Sequence, residues 1–285
     1  MIRAMRSSDP APDAALAGSP LGRASAYPER YDASLLFSLG RAPQRSLLIP
    51  TGPLPFEGAD LWTAYELSWL GPRGLPQRAV LNLAIDAHSP AIVESKSLKL
   101  YLGSFSQTTI ASSDELRGRI ATDLSRACGA DVRVALSSLA ATQALRREEL
   151  PGESLDGIDI AVATYQPDAT LLHAGGSTVD ETLRSSAFKS NCPVTGQPDY
   201  ADILVRYRGP RIQREALLRY LVSYRAHAAF HEACVERIFV DIAGRCRPQR
   251  LTVYARFLRR GGIDINPFRS NFESAPSVPI ATPRQ

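Results

Sequence analysis

Lysine is almost absent from this chain: of its 33 basic residues only Lys96, Lys99 and Lys189 are lysine. Where arginine is the default cation, two lysines three apart mark a place that wants a compact, flexible ammonium rather than a planar fork. Cysteine is scarce too. Cys128, Cys192, Cys234 and Cys246 show no C-x-x-C spacing, which argues against a disulfide framework or a zinc ribbon and for a reducing compartment. No apolar run approaches the ~20 residues of a membrane span. The first 27 residues are rich in Ala, Arg, Ser and Pro and hold no apolar core of signal-peptide length. No G-x-G-x-x-G follows a strand-like stretch, so a dinucleotide would not be held in the Rossmann manner. Together these absences predict a soluble, cytoplasmic protein, with residues 1–27 as a disordered tail.

What is present suffices for a core. The chain has 285 residues, 44% of them hydrophobic, enough for one large or two modest domains. The net charge of +4 fits either a merely basic surface or a basic pocket for a phosphorylated ligand. Residues 28–76, with Pro and Gly scattered through them, read as irregular. Leu81, Leu83 and Ile85 alternate with polar or small neighbours, as on a strand. After a short Ile92-Val93 step, Glu94–Tyr101 reads as a helix start. Ser112 and Glu115 fit a capping box, Leu116, Ile120 and Leu124 line one helix face, and Gly129 can cap the end. Val132, Val134 and Leu136 alternate again. Residues 141–157, charged and containing Pro151-Gly152, read as a linker. Beyond it, Val179 to Phe188 is strand-like, Ile203, Val205 and Tyr207 alternate, helices are expected over 213–225 and 230–245, and Leu251 to Phe257 alternates as a last strand. Both halves thus read strand, helix, helix, strand. This predicts an α+β protein of two similar units, residues 28–140 and 158–285, each an antiparallel sheet with its helices on one face.

Four stretches carry chemistry. Ser190–Asp199 places Cys192 and Asp199 on one stiff loop, in which Pro193, Gly196 and Pro198 favour a turn. A thiolate attacks electrophiles and a neighbouring carboxylate can take the thiol proton; equally, a free cysteine can be a small buried hydrophobe. Glu94, Lys96 and Lys99 sit at a strand-to-helix junction. They are either a solvated first turn or a carboxylate for ligand N–H groups with lysines for phosphate, since lysine opposes the dipole at a helix N-terminus unless an anion offsets it. Phe230-His231-Glu232 opens the last helix. It is either a staple with first-turn charge, or a ring to stack on a planar base beside a carboxylate for its N–H edge. His227, His231 and Cys234 share one possible face, but no fourth metal ligand is evident and none is expected. Finally, Arg259-Arg260-Gly261-Gly262 follows a strand and offers an arginine grip on phosphate with close backbone approach.

These stretches together resemble the 7-cyano-7-deazaguanine reductases, the NADPH-dependent nitrile oxidoreductases of queuosine biosynthesis, in their long two-unit form. The likeness runs from about Tyr31 to Arg269. The family signature Glu-Ser/Leu-Lys-Ser/Ala-hydrophobic-Lys-Leu/Tyr-aromatic is met in full by Glu94–Tyr101. Departures are small: Tyr200 stands where Trp is common, and Phe268 where Trp often follows Asn-Pro. The resemblance implies two tandem tunnelling-fold units assembling as a homodimer, with the site formed between the units. It implies that Cys192 adds to the nitrile carbon as a covalent thioimide and that Asp199 donates protons. Val93, Glu94, Ser95, His231 and Glu232 match substrate-contact positions, with Phe230 as the stacking ring; Ser95, Lys96, Arg260 and Gly261 match NADPH-contact positions. No nucleic acid or membrane contact is implied. Two other readings stay open: a cyclohydrolase-like tunnelling-fold enzyme, and a basic RNA-binding protein, which would explain neither Cys192 with Asp199 nor the lysine pair.

Overall fold

The computed structural model describes residues 18–20, 22, 27–140, 147–276 and 281–285. In chain order these form β1 (Ser38–Gly40), α1 (Ala42–Leu48), β2 (Glu57–Leu70), β3 (Pro76–Asp86), β4 (Ala91–Val93), α2 (Ser95–Gly103), α3 (Ser113–Cys128) and β5 (Val132–Ser137) in the first half. The second half holds β6 (Glu153–Ser154), β7 (Ala174–Asn191), β8 (Pro198–Ile212), α4 (Arg214–Val222), α5 (His231–Cys246), β9 (Arg250–Phe257) and β10 (Ile263–Ser270). The protein is α+β, and two units follow one another, as the resemblance implies. Helix α3 is bounded as its caps dictate. The Ser112 hydroxyl accepts from the Glu115 N–H at 3.1 Å, and Gly129 closes the helix in the left-handed region at φ 67°.

The two units share one eight-stranded sheet in the order β5-β3-β2-β10-β9-β8-β7-β6, while β1 and β4 make a separate antiparallel pair. The seam is β10 of the second half, antiparallel to β2 of the first from Ile263↔Ala64 to Ser270↔Glu57. Every pair in the large sheet is antiparallel except β6 with β7.

Two expectations are corrected here. Residues 28–76 are not irregular throughout, for they contain β1, α1 and the 14-residue β2. A bulge between Ala64 and Leu67 switches the inward face from Trp62 and Ala64 to Leu67 and Trp69, which erases the period-two pattern. The expected linker is also part of the fold. Its residues 141–146 lie outside the described residues, but Leu155 is buried in the core of the second unit and Leu150 in a cluster on the opposite sheet face. Residues 1–17, 21 and 23–26 of the expected tail also lie outside the described residues. Ser19 is buried, and Gly22 lies so near Val194 that a Cβ there would come within 3.1 Å of Val194 Cγ1.

Each unit has its own core between sheet and helices. One gathers Trp62, Leu81, Tyr101, Leu116, Ile120 and Leu124; the other gathers Phe188, Ile203, Tyr220, Val235, Phe239 and Val253. Where the two meet, charge is buried. Asp60 on β2 pairs with Arg41 and, at 2.8 Å, with Arg269 on β10; Arg269 and Arg45 reach Glu236 on α5 at 2.8 and 2.7 Å. Burial alone would raise the Glu236 carboxyl, but Arg269, Arg45 and Arg41 override it and hold it at about 2. Breaking such a buried pair by removing one partner is strongly destabilising, about 3–5 kcal/mol, because it strands a charge. The network therefore fixes α5 against the seam and sets where the residues at the start of α5 lie.

Candidate active site

Strand β7 ends at Asn191, which is held on several sides. Its N–H donates to the His227 carbonyl at 2.8 Å, its own carbonyl accepts from the Ala229 N–H at 3.1 Å, and Lys189 Nζ reaches its Oδ1 at 2.7 Å. The chain then turns through Cys192, whose N–H donates to the Gln197 carbonyl at 2.9 Å and whose carbonyl accepts from Gly196 at 3.0 Å. Strand β8 returns in register, Ser190 opposite Asp199. The loop thus presents Cys192 and Asp199 from the end of one ribbon, both buried.

Asp199 has two cationic or potentially cationic neighbours. Arg260 bonds its Oδ1, and His231 Nε2 lies 3.3 Å from the same oxygen. Burial pushes the carboxyl up, but the hydrogen bonds and charges of His231 and Arg260 outweigh burial and leave it below the ordinary carboxylate range. Asp199 is therefore ionised at neutral pH. His231 is held flat on Phe257, with ring centroids 3.9 Å apart and planes 12° from parallel.

Arg260 stands just before the Gly261-Gly262 turn between β9 and β10, bridged to Ile263. Gly261 and Gly262 take φ of 57° and 79°, the positive pair that a tight hairpin of this hand requires. Gly261 has a second use: a Cβ there would lie 3.1–3.3 Å from Cδ, Cε and Nζ of Lys99, so its bareness lets the Lys99 stem pass. Arg259 turns the other way, its guanidinium 3.5 Å from the ring centroid of Tyr65.

From the first unit, Glu94 caps α2. Its carboxylate accepts from the backbone N–H groups of Lys96 at 2.6 Å and Ser97 at 2.8 Å, which explains how a fully buried acid is tolerated. One helical turn on, Lys99 enters the same pocket. Burial lowers its pKa, as does Arg260, while Glu94, Asp199 and Cys192 act in the other sense.

Glu232, in the first turn of α5, is buried, and its Oε1 has no hydrogen-bond partner among the described residues. Burial and then the charge of Asp60 raise its carboxyl to about 7. Such an oxygen is costly to leave bare and is suited to ligand N–H donors.

These groups line one pocket. Val93, Glu94, Ser95 and Lys99 come from the first unit; Cys192, Asp199, Phe230, His231, Glu232 and Arg260 come from the second. One chain thus supplies both parts. Of the residues expected at the site, Lys96 and Gly261 do not line the pocket. Lys99, read in the sequence with Lys96 as a possible holder of phosphate but not placed among the cofactor contacts, does. Trp62, Ile263 and Ile265 also line it and carry no local signal, because only the seam between units brings them there; Leu39 joins them from β1, opposite Ile92 of β4. Among the described residues no three His, Cys, Asp or Glu side chains gather as a metal site, and no helix is long and apolar enough to cross a membrane.

Residues 27–136 match the family described as nitrile reductase, 7-cyano-7-deazaguanine-reductase N-term, and residues 198–276 match the one described as QueF-like protein. The chain is 54% identical over 271 residues, 95% of its length and 99% of the relative's, to a Bordetella pertussis protein named NADPH-dependent 7-cyano-7-deazaguanine reductase. The chain belongs to the 7-cyano-7-deazaguanine reductase family. A Paraburkholderia xenovorans protein of the same name is also 54% identical, over 89% of this chain and 93% of that one. The crystal structure of an archaeosine synthase in the apo form matches 35% of the chain at 18% identity and a TM-score of 0.30, too slight a likeness to bear on the fold.

Proposed function

We propose that the protein is an NADPH-dependent nitrile reductase that converts the nitrile of 7-cyano-7-deazaguanine to the primary amine, a step towards queuosine in tRNA, and that it works as a homodimer without direct contact to nucleic acid. The observation that carries this reading is the convergence on one pocket of the Cys192 thiol, the ionised Asp199 and the unpartnered Glu232 oxygen. The family membership supplies the class of reaction.

The residues divide the work. Glu232 accepts from the N–H groups on the pyrimidine edge of the base, and the Phe230 ring packs on its face. Val93, Glu94 and Ser95 close the opposite side. The Cys192 sulfur bonds to the nitrile carbon as the thiol proton passes through Asp199 to the nitrile nitrogen, giving a thioimide. Reduction at that carbon and return of the sulfur as thiolate leave an imine, which a second reduction turns into the amine. NADPH, when bound, supplies the hydride for each of the two reductions. The pocket suits its phosphates: Lys99 is a half-buried ammonium crowded by Arg260, and an anion would relieve both. Arg260, Lys96, Ser95 and Gly261 complete that side. A pocket built from two packed units also keeps water from the imine.

The stoichiometry tests the reading. With limiting nitrile base, two NADPH should be oxidised per base and the amine should be the product. One NADPH per base, with an imine or aldehyde released, overturns it. A second consequence concerns pH. Glu232 must be ionised to accept from two N–H donors on that edge, yet in the free protein it is half protonated near pH 7. Affinity for the base should therefore weaken by about tenfold per unit as pH falls below that value, and hold steady above it. Titration calorimetry at several pH values measures this. Glu232→Gln should bind weakly with no such slope.

A further inference from the structure

Glu232 is not the only bare polar group in the pocket. Trp62 lines it from β2, is 2% exposed, and its indole N–H has no hydrogen-bond partner among the described residues. An indole N–H is a donor only, and one that is buried and unpaired costs free energy unless a ligand acceptor meets it. Its place relative to Glu232 is set by the buried network at the seam. Asp60 lies two residues before Trp62 on the same face of β2, and Glu236 lies one turn after Glu232 on the same face of α5. Asp60 and Glu236 are joined through Arg269. Trp62 and Glu232 are each one short step away from that joint, about 7 Å along the strand and about 6 Å along the helix, and both steps end in the same pocket. Opposite Trp62 in the sheet stands Ile265, which also lines the pocket and offers no side-chain acceptor.

A buried donor and a buried carboxylate acceptor on one pocket form a two-part code. The 7-deazaguanine edge presents the complement: a carbonyl oxygen at position 6 as acceptor, then N1–H and the 2-amino group as donors. We infer that Trp62 is a specificity-determining residue whose indole N–H donates to the 6-oxo oxygen of the base, while Glu232 takes the neighbouring N–H groups. The inference rests on the substrate proposed above and extends it to a preference among bases. A site with a donor committed to the 6-position favours an oxo group and leaves its own N–H unpaired against a poor acceptor or another donor.

Two measurements test it. The chain has two tryptophans, Trp62 and Trp69, and Trp69 does not line the pocket, so the indole N–H region of a nitrogen–proton correlation spectrum holds two signals to follow. Adding 7-cyano-7-deazaguanine to the wild-type protein should move the Trp62 signal downfield and leave that of Trp69 in place; Trp69→Phe assigns them. The second measurement compares the oxo base with its 6-thio analogue, which keeps N1–H and the 2-amino group but offers a weak acceptor. Wild type should prefer the oxo base, and Trp62→Phe, which keeps a ring and loses the N–H, should bind the oxo base about tenfold more weakly and lose the preference. An unmoved Trp62 signal, or equal weakening towards both bases, overturns the inference. The covalent adduct at Cys192 separates this from the reaction itself. An adduct in wild type with no Trp62 response removes the role of Trp62 alone, whereas no adduct removes the substrate reading.

Discussion

Cys192→Ala is expected to abolish both turnover and the covalent adduct, while the other cysteines are dispensable for both. The four thiols are buried, but not in equivalent places. Burial pushes Cys128, Cys234 and Cys246 up to about 11, 12 and 11, so at neutral pH they remain thiols shut in the core. Cys192 is the one that lines the pocket, on a hairpin whose two ends are pinned by Asn191 and by the pairing of Ser190 with Asp199. Lys99 and Arg260 bring positive charge to the same pocket. Intact-mass analysis after mixing with the nitrile base, without NADPH, should show wild type heavier by one base. Cys128→Ala and Cys246→Ala should gain the same mass, and Cys192→Ala none. An adduct that survives in Cys192→Ala would remove the thioimide from the mechanism.

How much of this was legible in the sequence follows from what each residue's signal depends on. The caps of α3 and the alternation of residue types in β3, β5, β8 and β9 depend on near neighbours, and they were readable. Strand β10 was not. All eight of its residues are buried, so its two faces show no contrast, and Asp264, Asn266 and Arg269 are polar because each has a partner across the fold: Tyr65, the Leu61 carbonyl and Asp60. Strand β2 hid behind its bulge. Pro50, Pro53 and Pro55 before it and Gly71, Pro72, Gly74 and Pro76 after it made the whole region look like loop. At the site, Cys192, Asp199, Glu94 and the Phe230-His231-Glu232 run could be found as local motifs. The pairing of Arg260 with Asp199 spans 61 residues and the arrival of Trp62 depends on a strand from the other unit, so neither leaves a mark that a single stretch could show.

Asp199→Asn is expected to cut turnover of bound base by about 10²–10⁴, the range for general acid–base catalysis, and to leave base affinity nearly intact. Thioimide formation moves one proton from sulfur to nitrogen. A group that relays it must accept the proton readily and give it up readily. His231 and Arg260 keep the Asp199 carboxylate ionised against its burial, so it enters the reaction as the base, and the same two partners make it a reluctant holder of the proton it takes. Asparagine keeps the shape but cannot ionise, and its amide puts a donor where an acceptor stood. It also leaves Arg260 without its countercharge, so a thermal melt is needed beside the kinetics to show that the variant is folded. The pH profile provides the sign. Because the folded-state pKa is depressed, the rate at saturating base should persist as pH falls past the usual carboxylate range, and fail only below it, as Asp199 takes up its proton. The same uptake removes the stability that its ion pairs provide above that range, so acid unfolding sets the lower end of the accessible window. In Asp199→Asn that acidic limb should disappear along with most of the rate, and single-turnover adduct formation should be slowed as much as steady-state turnover. A folded Asp199→Asn that forms the adduct and turns over like wild type, or whose whole deficit lies in weaker base binding, would show that the proton takes another route and leave Asp199 as a partner for Arg260 only.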